Sequence, residues 1–129
     1  MSKDKKKLFL ICPVRNAKHD YTSVVEALEQ KYEVHWPKRD TNQQDTTGLR
    51  ICKDNRQAIK DADVVGVIWD GESQGALFDL GMTFVLEKKI LIVQLPPLLG
   101  RKSFQDIVWD WAEGNHVNFE IMQGVNTVA

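Results

Sequence analysis

The chain reads as a single α/β domain, an open parallel sheet of about five strands with helices on both faces. Three observations predict this. The apolar segments are short and continuous, as strands covered on both sides are, where half-exposed strands would alternate. Segments of helical period separate them. Each strand run stops at Pro, Asp-Gly or a polar stretch, residues that favour turns.

Leu8–Val14 is an unbroken apolar run ending beside Pro13, the first strand. Tyr21–Tyr32 carries Val24, Val25, Ala27 and Leu28 at helical spacing, with Asp20 or Thr22 as its cap. Glu33–Trp36 is a short strand stopped by Pro37. Lys38–Gly48 is polar and long enough for a lid or binding segment. Leu49–Ala62 suits a helix, with Leu49, Cys52, Ala58, Ile59 and Ala62 apolar. Asp63–Trp69 is the clearest strand, rich in β-branched residues and apolar on both faces, and the turn sequence Asp70–Gly75 follows it. Ala76–Glu87 is a helix apolar on most sides and therefore heavily buried. Ile90–Leu95 is another two-faced strand, closed by Pro96-Pro97. Ser103–Trp111 begins the last helix, and Val117–Ile121 is the expected final strand. The alternation describes a Rossmann- or flavodoxin-like sheet, with residues 8–129 as the domain and 1–7 as a flexible basic tail.

Composition narrows the function. At 129 residues the chain fills one domain and no more. A net charge of −1 argues against a nucleic-acid surface, which needs many cations to displace counterions. The lysines at 3, 5, 6 and 7 read as a solvated terminus. Cys12 and Cys52 have neither CxxC nor disulfide-framework spacing and are expected reduced, in or near the core. The apolar run after the lysines is too short for a membrane span or signal segment, so a cytoplasmic location without membrane contact is expected. His19, His35 and His116 lack metal-ligand spacing, and no metal or cofactor is expected. P-loop, dinucleotide and serine-hydrolase motifs are missing from the sequence.

In open parallel sheets ligands bind beyond the carboxyl ends of the strands. Three loops leave those ends: Pro13–Lys18, Pro37–Asp45 and Asp70–Gly75. The last leads into Ser73-Gln74-Gly75-Ala76, where small residues open a helix start whose first amides have no partner within the helix. Asp79 follows one turn after Gly75, on the same face. A carboxylate on so apolar a helix either lines a cavity or lies on a solvated stripe, and spacing leaves both open. Trp36 either stacks on a ligand or packs in the core, and His19 either holds phosphate or lies on the surface. Trp109 and Trp111 fall on opposite sides of the last helix, so at least one meets a loop or a second subunit.

The run Ala62–Gly81, with its ADVVGVI strand and SQGALFDLG helix start, resembles the nucleoside 2-deoxyribosyltransferase family, including its deoxynucleoside 5′-monophosphate N-hydrolase branch. Leu8–Arg15 (LFLICPVR) is similar to that family's first strand and loop, and the likeness spans about two thirds of the chain. The resemblance implies a retaining attack on an N-glycosidic bond by a carboxylate on the helix. Asp79 stands at the nucleophile's place. Ser73, Arg15 and the adjoining Asn16 match substrate positions, those of the 5′-phosphate in the hydrolase branch. Gly75 and Ala76 form the close-approach floor, and Asn55 contacts sugar or base.

The departures are chemical. The family nucleophile is glutamate, so Asp79 is one methylene shorter. Phe9 replaces a tyrosine, and Asn55 replaces an aspartate that handles protons. Asp54 is adjacent, but turned by about 100° around the helix. Two readings follow: an enzyme acting on a nucleoside or its monophosphate, or a non-catalytic sensor or regulatory module that kept the pocket. A protein-interaction domain reusing the fold is a third, suggested by the tryptophans. The resemblance also implies a homo-oligomer.

Overall fold

The computed structural model describes residues 4–14 and 20–117. Its elements in chain order are β1 (Lys6–Ile11), α1 (Thr22–Leu28), β2 (Tyr32–His35), α2 (Pro37–Asp40), α3 (Leu49–Asp61), β3 (Val64–Ile68), α4 (Gln74–Val85), β4 (Ile90–Gln94) and α5 (Phe104–Ala112). The four strands form one parallel sheet in the order β2-β1-β3-β4.

The α/β class stands, with four strands where about five were expected. Of Val117–Ile121, Val117 donates to the Ile92 carbonyl beside a single parallel bridge from Ile92 to His116, and 118–121 lie outside the described residues. The expected tail is shorter at its inner end. β1 begins at Lys6, where Lys7 N donates to Asp63 Oδ2 at 2.8 Å and Asp63 N returns to the Lys7 carbonyl at 2.8 Å. Lys5 Nζ reaches the Glu29 carbonyl at 2.6 Å, so backbone pairing and a side-chain anchor order residues that charge alone assigns to solvent.

Period-two alternation in β1 divides the core. Phe9 and Ile11 face α3, α4 and α5, joining Ile59, Ala76, Leu80, Val108 and Ala112. Leu8, Leu10 and Cys12 face α1, joining Val24, Val25 and Leu28. Gly66 keeps the centre of β3 low, because a Cβ there would meet Leu10 Cδ1 and Leu8 Cδ2 at 3.2 Å.

The segment expected to be wholly loop, Lys38–Gly48, starts inside a one-turn helix. Pro37 supplies the helical φ at its first position, and Asp40 Oδ2 closes the turn by accepting from Trp36 N at 2.9 Å. The remainder is tied down. Arg50 donates to the carbonyls of Asn42 and Gln44, and Asp45 Oδ2 accepts from Ile51 N.

From β1 the chain runs to the edge strand β2 and then crosses back to β3. The switch point of this topology therefore lies at the carboxyl ends of β1 and β3.

Candidate functional site

A cleft of about 960 Å³ opens at that switch point. It is built from Cys12 and Val14 after β1, Pro37, Gln43 and Asp45–Gly48 between β2 and α3, Ile51, Cys52 and Asn55 on α3, and Asp70, Glu72–Ala76, Phe78 and Asp79 from the β3–α4 connection and the first turns of α4. Cys52 and Asn55 are three residues apart and so share one face of α3. Gln74, Phe78 and Asp79 face them from α4.

The β3–α4 turn is held by one side chain. Asp70 Oδ1 accepts from the backbone N–H of both Glu72 and Ser73 at 2.8 Å, and Gly71 takes a φ of 86° between them. Trp69 Nε1 donates to the Ser73 carbonyl at 3.1 Å, tying the turn to the buried end of β3. Ser73 caps α4: its Oγ accepts from Ala76 N at 3.2 Å. One first-turn amide expected to serve a ligand is therefore already used, while the Ser73 hydroxyl keeps its proton to donate. At Gly75 an added Cβ would meet nothing nearer than Ser73 Oγ at 4.0 Å, so the missing side chain leaves open space in the cleft.

Asp79 lines this cleft, which decides between the two positions spacing left open. It is partly buried, and no donor among the described residues hydrogen-bonds its carboxylate. Desolvation by burial pushes its pKa up to about 7. Its charge is felt at Cys52, whose thiol is raised first by burial and then by Asp79 and Asp45. Burial raises the Cys12 thiol to about 12.

Asn55 is 5% exposed and faces the same cleft. Its Oδ1 accepts from Thr41 Oγ1 at 2.9 Å. Asp54, one residue earlier, is exposed, pairs with Arg50 at 2.6 Å and points to a separate groove. Turning the helix by one residue separates the two, and Asp54 does not stand in for Asn55.

Phe9 also leaves the expected site. It is 0% exposed, lines that separate groove, and stacks its ring on His35 with centroids 5.4 Å apart. The cleft opens three residues further on, at Cys12 just past the end of β1. Trp36 is a core residue, 7% exposed, with Lys38 Nζ 5.8 Å from its ring centre. Trp109 is exposed and stacks on His116, whereas Trp111 packs edge-on against Phe84. Arg15, Asn16 and His19 lie outside the described residues.

Sequence reasoning did not find Cys12, Cys52, Asp45, Phe78 or Thr41 as site residues. Cys52 was within reach, because it precedes Asn55 by three positions on a helix. Nothing local marks Thr41, whose place depends on how its loop returns over α3.

The described lining carries the carboxylates Asp45, Asp70, Glu72 and Asp79 and no lysine or arginine. Among the described residues no group of three or more histidine, cysteine, aspartate or glutamate side chains is placed to hold a metal ion. None of their helices is long and apolar enough to cross a membrane. No family model matches the chain, and no curated protein sequence matches it.

Proposed function

We propose that the chain is a nucleoside deoxyribosyltransferase-like protein that acts on the N-glycosidic bond of a (deoxy)nucleoside or its 5′-monophosphate. The observation that carries the reading is the Asp79 carboxyl, set without a hydrogen-bond partner among the described residues in a cleft at the sheet's switch point, with the Asn55 amide on the facing helix. Ligand pockets in such sheets lie there, and a strongly perturbed acid in a cleft is a candidate for a reactive group.

In this reading Asp79 Oδ attacks C1′ of the sugar as the bond to the base nitrogen breaks. Water then attacks C1′ of the glycosyl-enzyme, freeing the sugar and restoring the carboxylate. Overall, water's proton goes to the base and its hydroxyl to the sugar. Only the ionised acid is a nucleophile, so with a pKa of about 7 the rate rises with pH through neutrality. The 5′-phosphate part of the reading rests on Ser73 with Arg15 and Asn16, since the described lining is otherwise acidic. Nucleosides are therefore tested beside their monophosphates.

The test is release of free base, resolved by chromatography, from a panel of deoxynucleosides, ribonucleosides and their 5′-monophosphates at high protein concentration. The expected result is release by the native chain and none by Asp79→Asn. No release from any member overturns the enzymatic reading.

One observation favours the second reading, a binding module without turnover. At neutral pH Asp79 is about half protonated, which suits a hydrogen-bond donor as well as a nucleophile. Calorimetric binding of a nucleoside without base release identifies it. The homo-oligomer implied by the family resemblance belongs to the same proposal, and α4 exposes Phe78, Phe84 and Val85 for such a contact.

A further inference from the structure

Behind Asn55 runs a chain of polar contacts that the proposed chemistry does not use. His35 Nε2 lies 2.9 Å from Thr41 Oγ1, which lies 2.9 Å from Asn55 Oδ1. Thr41 and Asn55 are each 5% exposed, so these groups are cut off from water on the side where they meet. The His35 ring is held flat against Phe9, with an interplanar angle of 17°.

Counting protons orients the chain. A threonine hydroxyl has one proton, and an amide oxygen only accepts. Thr41 therefore gives its proton to Asn55 Oδ1 and must receive one from His35, which carries its hydrogen on Nε2. With Oδ1 turned back toward Thr41, the Asn55 Nδ2 protons face the other way. No acceptor for them is found among the described residues, and Asn55 lines the cleft.

We propose that His35 and Thr41 are positioning residues, which lock the Asn55 amide so that the cleft presents hydrogen-bond donors and selects a ligand bearing an acceptor oxygen. Asparagine usually reads adenine through both ends of its amide, donating to N7 and accepting from N6. Here Oδ1 is turned back toward Thr41 while Nδ2 faces the cleft, so the two ends of the amide do not meet one base together. A 6-oxo purine, whose carbonyl accepts from Nδ2, is preferred to a 6-amino purine. This ligand preference rests on the nucleoside reading above, whereas the orientation of the amide does not.

Two measurements separate the claims. Long-range proton–nitrogen NMR on the free protein reads the His35 tautomer. Protonated Nε2 is expected, shifting toward the free mixture of tautomers in Thr41→Val and returning in Thr41→Ser. A native His35 protonated on Nδ1 alone overturns the proposal, because Thr41 would then donate to His35 and the Asn55 oxygen would face the cleft.

Calorimetry with deoxyinosine and deoxyadenosine reads the preference. The expected result is about a tenfold preference for deoxyinosine, the worth of one hydrogen bond. Thr41→Val should lose it and Thr41→Ser should keep it. Equal binding of the two by the native chain, or a preference that survives Thr41→Val, overturns the selectivity. Binding of neither, with the Nε2 tautomer intact, overturns the selectivity and leaves the positioning standing, while the nucleoside reading falls only with the full panel above.

Discussion

Replacing Asp79 by asparagine should stabilise the protein, and increasingly so as pH rises. Folding moves this carboxyl from its ordinary value of 3.8 to about 7, through burial alone. An acid whose folded value is raised favours the native state only while protonated. Stability from this group is thus full below about pH 4, falls as pH climbs toward 7, and is constant above. The shift corresponds to about 4 kcal/mol at most, at 1.36 kcal/mol per unit. Asparagine has nearly the same shape and never ionises, so the variant does not carry the loss. Urea denaturation of both proteins from pH 4 to pH 8 isolates the group, because below the range of the Cys52 thiol, which feels the Asp79 charge, the other titrations are common to the pair. The difference should be small at pH 4 and approach the full value of about 4 kcal/mol by pH 8, about 15 °C in Tm for a domain of this size. A difference independent of pH, or a less stable variant at pH 8, would refute the assignment of Asp79 to a desolvated position without a hydrogen-bond donor among the described residues. The cost itself supports a functional role, since active sites hold groups that a merely stable fold would exchange.

Ser73→Ala removes the cap of α4 and should cost about 1 kcal/mol in denaturant unfolding, with Ser73→Thr retaining most of it; an unchanged midpoint for the alanine variant would count against the cap. The two cysteines should differ in reactivity toward an aromatic disulfide in the native state. Cys52 lines the cleft at intermediate exposure, whereas Cys12 is 7% exposed with its thiol raised to about 12. Cys52 is expected to react first and Cys12 only after unfolding, and faster reaction at Cys12 would contradict this placement. Self-association through the exposed face of α4 predicts a particle larger than a monomer by sedimentation, returning toward one in Phe84→Glu with Val85→Glu; a monomeric native chain would end that part of the proposal.

Much of the fold is legible in the residues because its signals are local. The runs around Leu8–Ile11, Val64–Ile68 and Ile90–Gln94 are apolar on both faces, which only a covered sheet accommodates, and their helical partners show a different period. The cap at Ser73, the turn at Asp70-Gly71 and the facing of Gly75 and Asp79 follow from spacing in the same way. These residues act within one or two turns of chain, so their order alone specifies what they do.

Other features depend on which segments return to which. Phe9 and Asn55 looked like neighbours in one site, yet the alternation of β1 buries Phe9 under His35, while the cleft opens beyond it. Thr41 carries no signal of its own, and its role comes from a loop that brings it onto α3 fourteen residues later. The environment of Asp79 is decided the same way. Its chemistry belongs to the sequence, but the desolvation that raises it to about 7 comes from the surrounding packed elements, and burial is a property of neighbours that no single stretch of chain contains.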